Sequence, residues 1–212
     1  MTSKSNAPPE IERSGEEWFE KVSFPLWQKH LLPLAPFQSI LQIGIFAGDS
    51  FFWAADNLLA EDGEQVGVDP WIPSRQWASQ VEWMANAQKL AYERMSAAIA
   101  KSKKMLTFVE MKSEWYLLQS CAQERGQFDF IYIDGCHFGP EALTDMVLGW
   151  RLLKPGGVMA VDDASLYRGK RLTRGALVGE ALDAFVTCYG HKMSVLYSVK
   201  DQVGFVKLPF KE

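Results

Sequence analysis

Residues 128–137 read Phe-Asp-Phe-Ile-Tyr-Ile-Asp-Gly-Cys-His, a run of β-formers that stops on an aspartate, a glycine and a histidine. A strand this apolar belongs inside a sheet. Asp134 and His137, just past its end, sit where open α/β sheets present chemistry, in the crevice outside the carboxyl ends of parallel strands. The pattern recurs on both sides. Ser39–Ile43 is an apolar run ending at Gly44, with helical character from Ser50 onward. Gln65–Val68 ends on Asp69, Met105–Val109 is a third strand, and Val158–Val161 ends on Asp162-Asp163. A helix is predicted over 76–100, where Trp77, Val81, Met84, Gln88, Tyr92, Met95 and Ile99 recur at three- and four-residue steps. Further helices are predicted over 115–123, 141–153 and 178–187, and turns at Glu61–Glu64 and Lys154–Gly157. Residues 193–199 and 202–207, separated by Lys200-Asp201, read as a terminal hairpin. Strands alternating with helices imply βαβ units and a Rossmann-like, doubly wound α/β sheet, mostly parallel, closed by an antiparallel pair.

The totals narrow the function. With 212 residues, 48% of them hydrophobic and 23% charged, the chain is expected to be soluble and globular. A formal net charge of −4 lacks the basic footprint of a nucleic-acid binder, and no apolar stretch reaches the length of a membrane span. Cys121, Cys136 and Cys188 form no even, spaced framework, which suits a reducing cytoplasm. Residues 1–13 read as a disordered tail and 14–212 as a single domain. Its N-terminal helical extension (14–37) begins at the capping box Ser14-Gly15-Glu16-Glu17.

Four strand ends carry polar groups with distinct uses. Gly44 and Gly48 allow backbone to approach a ligand closely, and Ser50 is expected to cap the following helix, whose N-terminus suits a carboxylate or phosphate. Asp69, some twenty residues on, is placed to accept hydrogen bonds from a ribose diol, though Asp-Pro is also a turn signal. The spacing Gly-x-x-x-Gly departs from the Gly-x-Gly-x-x-Gly that brings backbone against a pyrophosphate, which favours a nucleoside cofactor without one, such as S-adenosylmethionine. Asp134, Asp162 and Asp163 are hard oxygen donors on neighbouring strand ends, fit for Mg²⁺ or another divalent cation. The alternative is that Asp162 or Asp163 only caps a turn and Asp134 binds an ammonium. His137 is a candidate general base. Arg168, Lys170, Arg171 and Arg174 follow the acidic pair, either as a solvated loop or as a lid over an anionic acceptor.

These residues carry a resemblance. The segments PLWQKHLLPL, ILQIGIFAGDS, VGVDPW and FDFIYIDGCHFGPEALTDMVLGWRLLKPGGVMAVDDAS make the chain similar to class I S-adenosylmethionine-dependent methyltransferases. Within that class it most resembles the methyltransferase domain 24 group, which is catechol O-methyltransferase-like. The resemblance implies seven strands in the order 3-2-1-4-5-7-6. It implies that Gly44 and Gly48 line the cofactor's methionine portion, that Ser50 binds its carboxylate and Asp69 its ribose, and that Ser113 and Glu114 lie beside the adenine. It further implies that Asp134 faces the methionine amino group and joins Asp162-Asp163 around a metal. His137 falls where the catechol-type enzymes carry a catalytic lysine. Gln42 departs from the acid many relatives carry, and Gly135-Cys136 replaces larger residues that pack on adenine. The implied reaction is O-methylation of a small-molecule hydroxyl, of sugar or natural-product type, with a homodimer allowed. The rival readings are a nicotinamide-dependent oxidoreductase and a non-catalytic nucleoside-binding module.

Overall fold

The computed structural model describes residues 19–72, 81–101, 103–123, 126–165, 178–199 and 201–209. The predicted tail, the Ser14–Glu17 capping box and the Arg168–Arg174 loop lie outside the described residues. The strands are β1 (Phe37–Ile43), β2 (Leu59–Val68), β3 (Met105–Val109), β4 (Phe128–Ile133), β5 (Leu153–Val161), β6 (Met193–Ser198) and β7 (Val203–Lys207). They form one sheet in the order β3-β2-β1-β4-β5-β7-β6, as the family resemblance implied. The first five pair in parallel, and β7 runs antiparallel between β5 and β6.

Helices α1 (Phe24–His30), α2 (Asp49–Asn57), α3 (Val81–Ile99), α4 (Ser113–Gln123), α5 (Gly139–Leu152) and α6 (Val178–Tyr189) cover both faces. Side chains alternate along β4, and both sets are buried. Ile131 and Ile133 join a layer with Leu117 of α4, Met146 and Trp150 of α5 and Phe185 of α6. Phe130 and Tyr132 join the opposite layer with Trp27 of α1 and Ala54 and Leu58 of α2. This two-sided burial is why the strand reads as a nearly continuous apolar run. Among the described residues no helix is long and apolar enough to cross a membrane.

Three expectations need correction. The predicted turns at Glu61–Glu64 and Lys154–Gly157 lie inside β2 and β5, as register irregularities. Pairing jumps from Phe37↔Leu59 to Ser39↔Glu64 and from Phe128↔Leu153 to Phe130↔Val158. Both bulges sit at the starting ends of the parallel strands, away from their carboxyl ends. In α3 the buried face is Ala87, Ala91 and Met95, while Val81 and Ile99 are 62% and 54% exposed. Small alanines let the helix approach the apolar group of Ile45, Phe51, Phe52 and Trp71, so Ala87 and Ala91 share the inward face with Met95 while Val81 and Ile99 at its ends turn outward. Trp77 lies outside the described residues. Finally, Ser50 is not the N-cap of α2: Gly48 is, in left-handed conformation, and Ser50 lies in the first turn.

Gly44 fixes how closely β1 and β4 approach at their ends. Its φ is +85°, and a Cβ there would stand 1.8 Å from the main-chain oxygen of Asp134. At Gly156, also left-handed at +81°, a Cβ would meet nothing within 4 Å. Gly156→Ala should therefore cost only the backbone penalty, about 1–2 kcal/mol. Gly44→Ala should cost roughly 3 kcal/mol or more, because the Asp134 main chain, tied through its amide to Ile43, cannot swing aside. Urea unfolding of the two variants checks this; equal losses would contradict it.

Candidate active site

The functional groups stand in one line along the carboxyl edge of the sheet. Each residue just past a strand donates its amide to the last carbonyl of the neighbouring strand. The pairs are Asp69 to Val109 (3.2 Å), Gly44 to Val68 (2.9 Å), Asp134 to Ile43 (2.9 Å) and Asp162 to Ile133 (2.9 Å). Asp69, Gly44, Asp134 and Asp162 are thus set at successive strand spacings of about 4.8 Å.

On the glycine-turn side, Asp69 is buried and accepts three backbone hydrogen bonds. Ile45 and Phe46 donate to Oδ2 at 2.8 and 3.0 Å, and Trp71 donates to Oδ1 at 2.7 Å. Burial raises its pKa, the three amides pull it down, and the Glu110 charge adds to the rise, with a net upward shift. Asp69 therefore clamps the turn that Gly44 opens. The turn is also held from the other side: Arg94 of α3 donates to the Ala47 carbonyl at 3.0 Å and to Asp49 at 2.6 Å. Buried Gln42 donates to the Gly44 carbonyl and to the Ser50 hydroxyl, both at 2.8 Å. That bond uses the Ser50 oxygen as acceptor and leaves its proton free to donate.

On the other side, the ligand atoms of Asp134, His137 and Asp163 lie within 4.8 Å of one another. His137 Nε2 is 2.7 Å from Asp163 Oδ2, and its Nδ1 is buried with no partner among the described residues. Burial lowers the His137 pKa, but the Asp163 hydrogen bond and the charges of Asp163 and Asp162 outweigh it, and the net shift is upward. Asp163 itself is held at φ +55°, a sparsely populated conformation for a non-glycine residue. Asp162 does not join this group. Its Oδ2 accepts from the Tyr132 hydroxyl at 2.6 Å and its Oδ1 from the Gln202 amide at 3.3 Å. The expected trio Asp134, Asp162 and Asp163 is therefore replaced by Asp134, His137 and Asp163, because Asp162 turns inward to buried donors. Burial and the neighbouring carboxylates push Asp134 well above the usual range and Asp162 to about 6. No lysine or arginine among the described residues pairs with any of the three. A small cavity opens between Asp134, Cys136, His137, Asp163 and Val178.

Ser113 and Glu114 begin α4, with Glu114 exposed. Ser113 is hydrogen-bonded to Asp145 of α5, a residue the sequence reading passed over. Asp145 is 1% exposed and its Oδ2 has no partner among the described residues. That oxygen lies 3.7 Å from where a Cβ on Gly135 would stand, so Asp145 backs the Gly135-Cys136 wall. Its signal in the sequence was an acid beside Met146 on the apolar face of α5.

Comparison with known proteins fits this geometry. A family model described as a methyltransferase domain matches residues 41–164, more than half of the chain. No curated protein matches. Among solved structures, the chain is similar to an O-methyltransferase from Bacillus cereus in complex with S-adenosylhomocysteine. The TM-score is 0.55 and the identity 16%, over 94% of this chain and 84% of that one. It is also similar to the N-methyltransferase NodS from Bradyrhizobium japonicum, again with S-adenosylhomocysteine, at TM-score 0.59 and 16% identity over 95% and 93% of the chains. The MycE methyltransferase of mycinamycin biosynthesis, in complex with Mg and S-adenosylhomocysteine, matches at TM-score 0.56 and 15% identity, over 90% and 50%. At these identities the likeness is one of fold.

Asp145 gives the site a pH signature. Burial raises its pKa to about 7, opposed by the Ser113 bond and assisted by Glu141 and Glu114. The folded state thus keeps a proton that the unfolded chain releases near pH 4. The stability from this group is complete below about pH 4 and is lost as pH rises through about 7. Asp145→Asn should remove that slope and stabilise the protein at pH 8 by up to about 4 kcal/mol relative to wild type. Thermal unfolding of both from pH 4 to 8 reads the difference; parallel curves would contradict it.

Proposed function

The chain belongs to the methyltransferase-domain family, and from that premise we propose that it transfers a methyl group from S-adenosylmethionine to a hydroxyl of a small molecule. The observation that carries this reading is the Asp163–His137 pair: Nε2 at 2.7 Å from the carboxylate, Nδ1 buried without a partner, beside the strand-end acid Asp134. A carboxylate that holds one imidazole nitrogen fixes the tautomer and leaves the other nitrogen as proton acceptor.

The residues fit the cofactor. The turn is left-handed at Gly44 and Gly48, and Asp69 and Asp134 beside it lack a lysine or arginine partner among the described residues. Acids without a cationic partner suit a ligand that is itself cationic. Asp134 would hold its ammonium, the Ser50 hydroxyl would donate to its carboxylate, and Asp69 would offer its remaining acceptor capacity to the ribose. Ser113 and Glu114 would lie on the adenine side. The bound cofactor supplies an electrophilic methyl on a sulfonium. The chain's own work is to align the acceptor hydroxyl and exclude water, and to take the hydroxyl's proton at Nδ1 of His137.

A second reading adds a divalent cation, favoured by the 4.8 Å grouping of Asp134, His137 and Asp163. Two carboxylates with one imidazole suit Mn²⁺ better than Mg²⁺, since nitrogen donors favour transition metals. A bound cation would lower the pKa of the acceptor hydroxyl.

Calorimetry with S-adenosylhomocysteine tests the cofactor. Wild type should bind, and Asp69→Ala should bind at least tenfold more weakly, because the turn loses its clamp; a folded wild type that does not bind would sink the reading. With a panel of small hydroxyl acceptors, His137→Ala should lose roughly 10²–10⁴ in turnover, with cofactor affinity nearly unchanged. Full activity in that variant would remove His137 as the base. Turnover that survives exhaustive chelation would remove the cation.

A further inference from the structure

A polar network runs through the apolar layer beneath the strand-end acids. The Trp27 indole donates to Oε1 of Gln202 at 2.9 Å, and the Tyr197 hydroxyl donates to the same oxygen at 2.6 Å. The Gln202 amide nitrogen donates to the Ser23 hydroxyl at 2.9 Å and to Asp162 Oδ1 at 3.3 Å. Tyr132 completes the ring, donating to Asp162 Oδ2 at 2.6 Å and lying 3.3 Å from Ser23 Oγ. Both lone pairs and both protons of the Gln202 amide are used, at 0% exposure.

An apolar side chain would fill this position without any such matching. Polar groups buried this deeply are unfavourable unless every partner is supplied, so a complete set marks a position fixed for orientation. What the network orients is Asp162. The next residue, Asp163, is held in the left-handed region, where a non-glycine residue stays only if its surroundings over-determine it. Asp163 then reaches His137. Ser23, Trp27, Tyr197 and Gln202 all lie outside the 41–164 span of the family match, so the match does not account for them.

We propose that Gln202, anchored by Trp27 and supported by Tyr132, is a positioning residue of the site. It locks Asp162 and, through the Asp162–Asp163 turn, aims the Asp163 carboxylate at His137. Asp162 then serves as an internal anchor for the turn. The N-terminal segment carrying Ser23 and Trp27 becomes part of the reaction machinery, beyond its role in covering the sheet. This inference rests on the reading of Asp163–His137 as the working pair.

The test reads the imidazole directly. Long-range ¹H–¹⁵N spectra of the full chain at pH 8.5 report the His137 tautomer, with the signals identified by their loss in His137→Ala. Wild type should show Nε2 protonated and Nδ1 bare. Gln202→Met keeps roughly the volume and removes the amide, and Trp27→Phe removes the indole donor together with part of the ring volume that packs on Tyr132 and Phe130. Both should move the two nitrogen shifts toward each other, as the tautomer loses its bias, with S-adenosylhomocysteine affinity within about twofold of wild type. Unchanged His137 shifts in the folded variants would overturn the proposal, and so would a tenfold loss of cofactor affinity alongside unmoved shifts. If Gln202→Met fails to fold, Trp27→Phe alone decides. Failure of wild type to bind S-adenosylhomocysteine would instead overturn the methyltransferase reading, and the tautomer comparison would still decide the positioning role.

Discussion

The site depends on the register of the parallel strands. The main-chain bonds from Asp69, Gly44, Asp134 and Asp162 to the last carbonyls of their neighbours extend the ladder one residue past each strand. Side chains on those residues have no freedom to separate along the edge. A slip of one residue in any pair would turn the acid at that strand's end to the opposite face. Burial of β4 on both faces prevents the slip, because Phe130 and Tyr132 must meet one layer and Ile131 and Ile133 the other.

Fixing acids at this spacing in a buried edge creates an electrostatic problem that the chain solves three ways. Asp69 takes three backbone amides and becomes the clamp of the glycine turn. Asp162 turns inward to Tyr132 and Gln202. Asp163 leaves the strand direction through a left-handed residue and meets His137. Asp134 remains, desolvated and flanked by the other three charges, with its pKa driven upward. A cationic ligand would relieve that state.

The helices packed on the sheet do more than bury surface. On one face α3 turns its alanines inward and brings Arg94 onto the glycine turn. On the same face, α1 brings Trp27 edge-on to Tyr132 at 4.8 Å and supplies the donor that fixes Gln202. Elements distant in sequence from the glycine turn and the acids thus set the shape of both.

The sequence by itself determined the architecture and the positions where chemistry could stand. The strand β4 was legible to the residue, because a strand buried on both faces must be almost wholly apolar, and polar residues after it mark its end. Asp69, Asp134 and Asp162 could be placed at the edge for the same reason: each directly follows a strand. What each acid does there was decided only by tertiary structure. Asp162 and Asp163 are adjacent in sequence and alike in chemistry, and nothing local separates them. Their roles divide because Gln202, 40 residues away, bonds one of them, and Ser23, 179 residues from Gln202, completes that bonding. The cap of α2 at Gly48 in place of Ser50, the inward face of α3 and the burial of Asp145 were hidden likewise. Helical period narrows the buried face only to a stripe, and the packing partners choose which edge of that stripe turns inward.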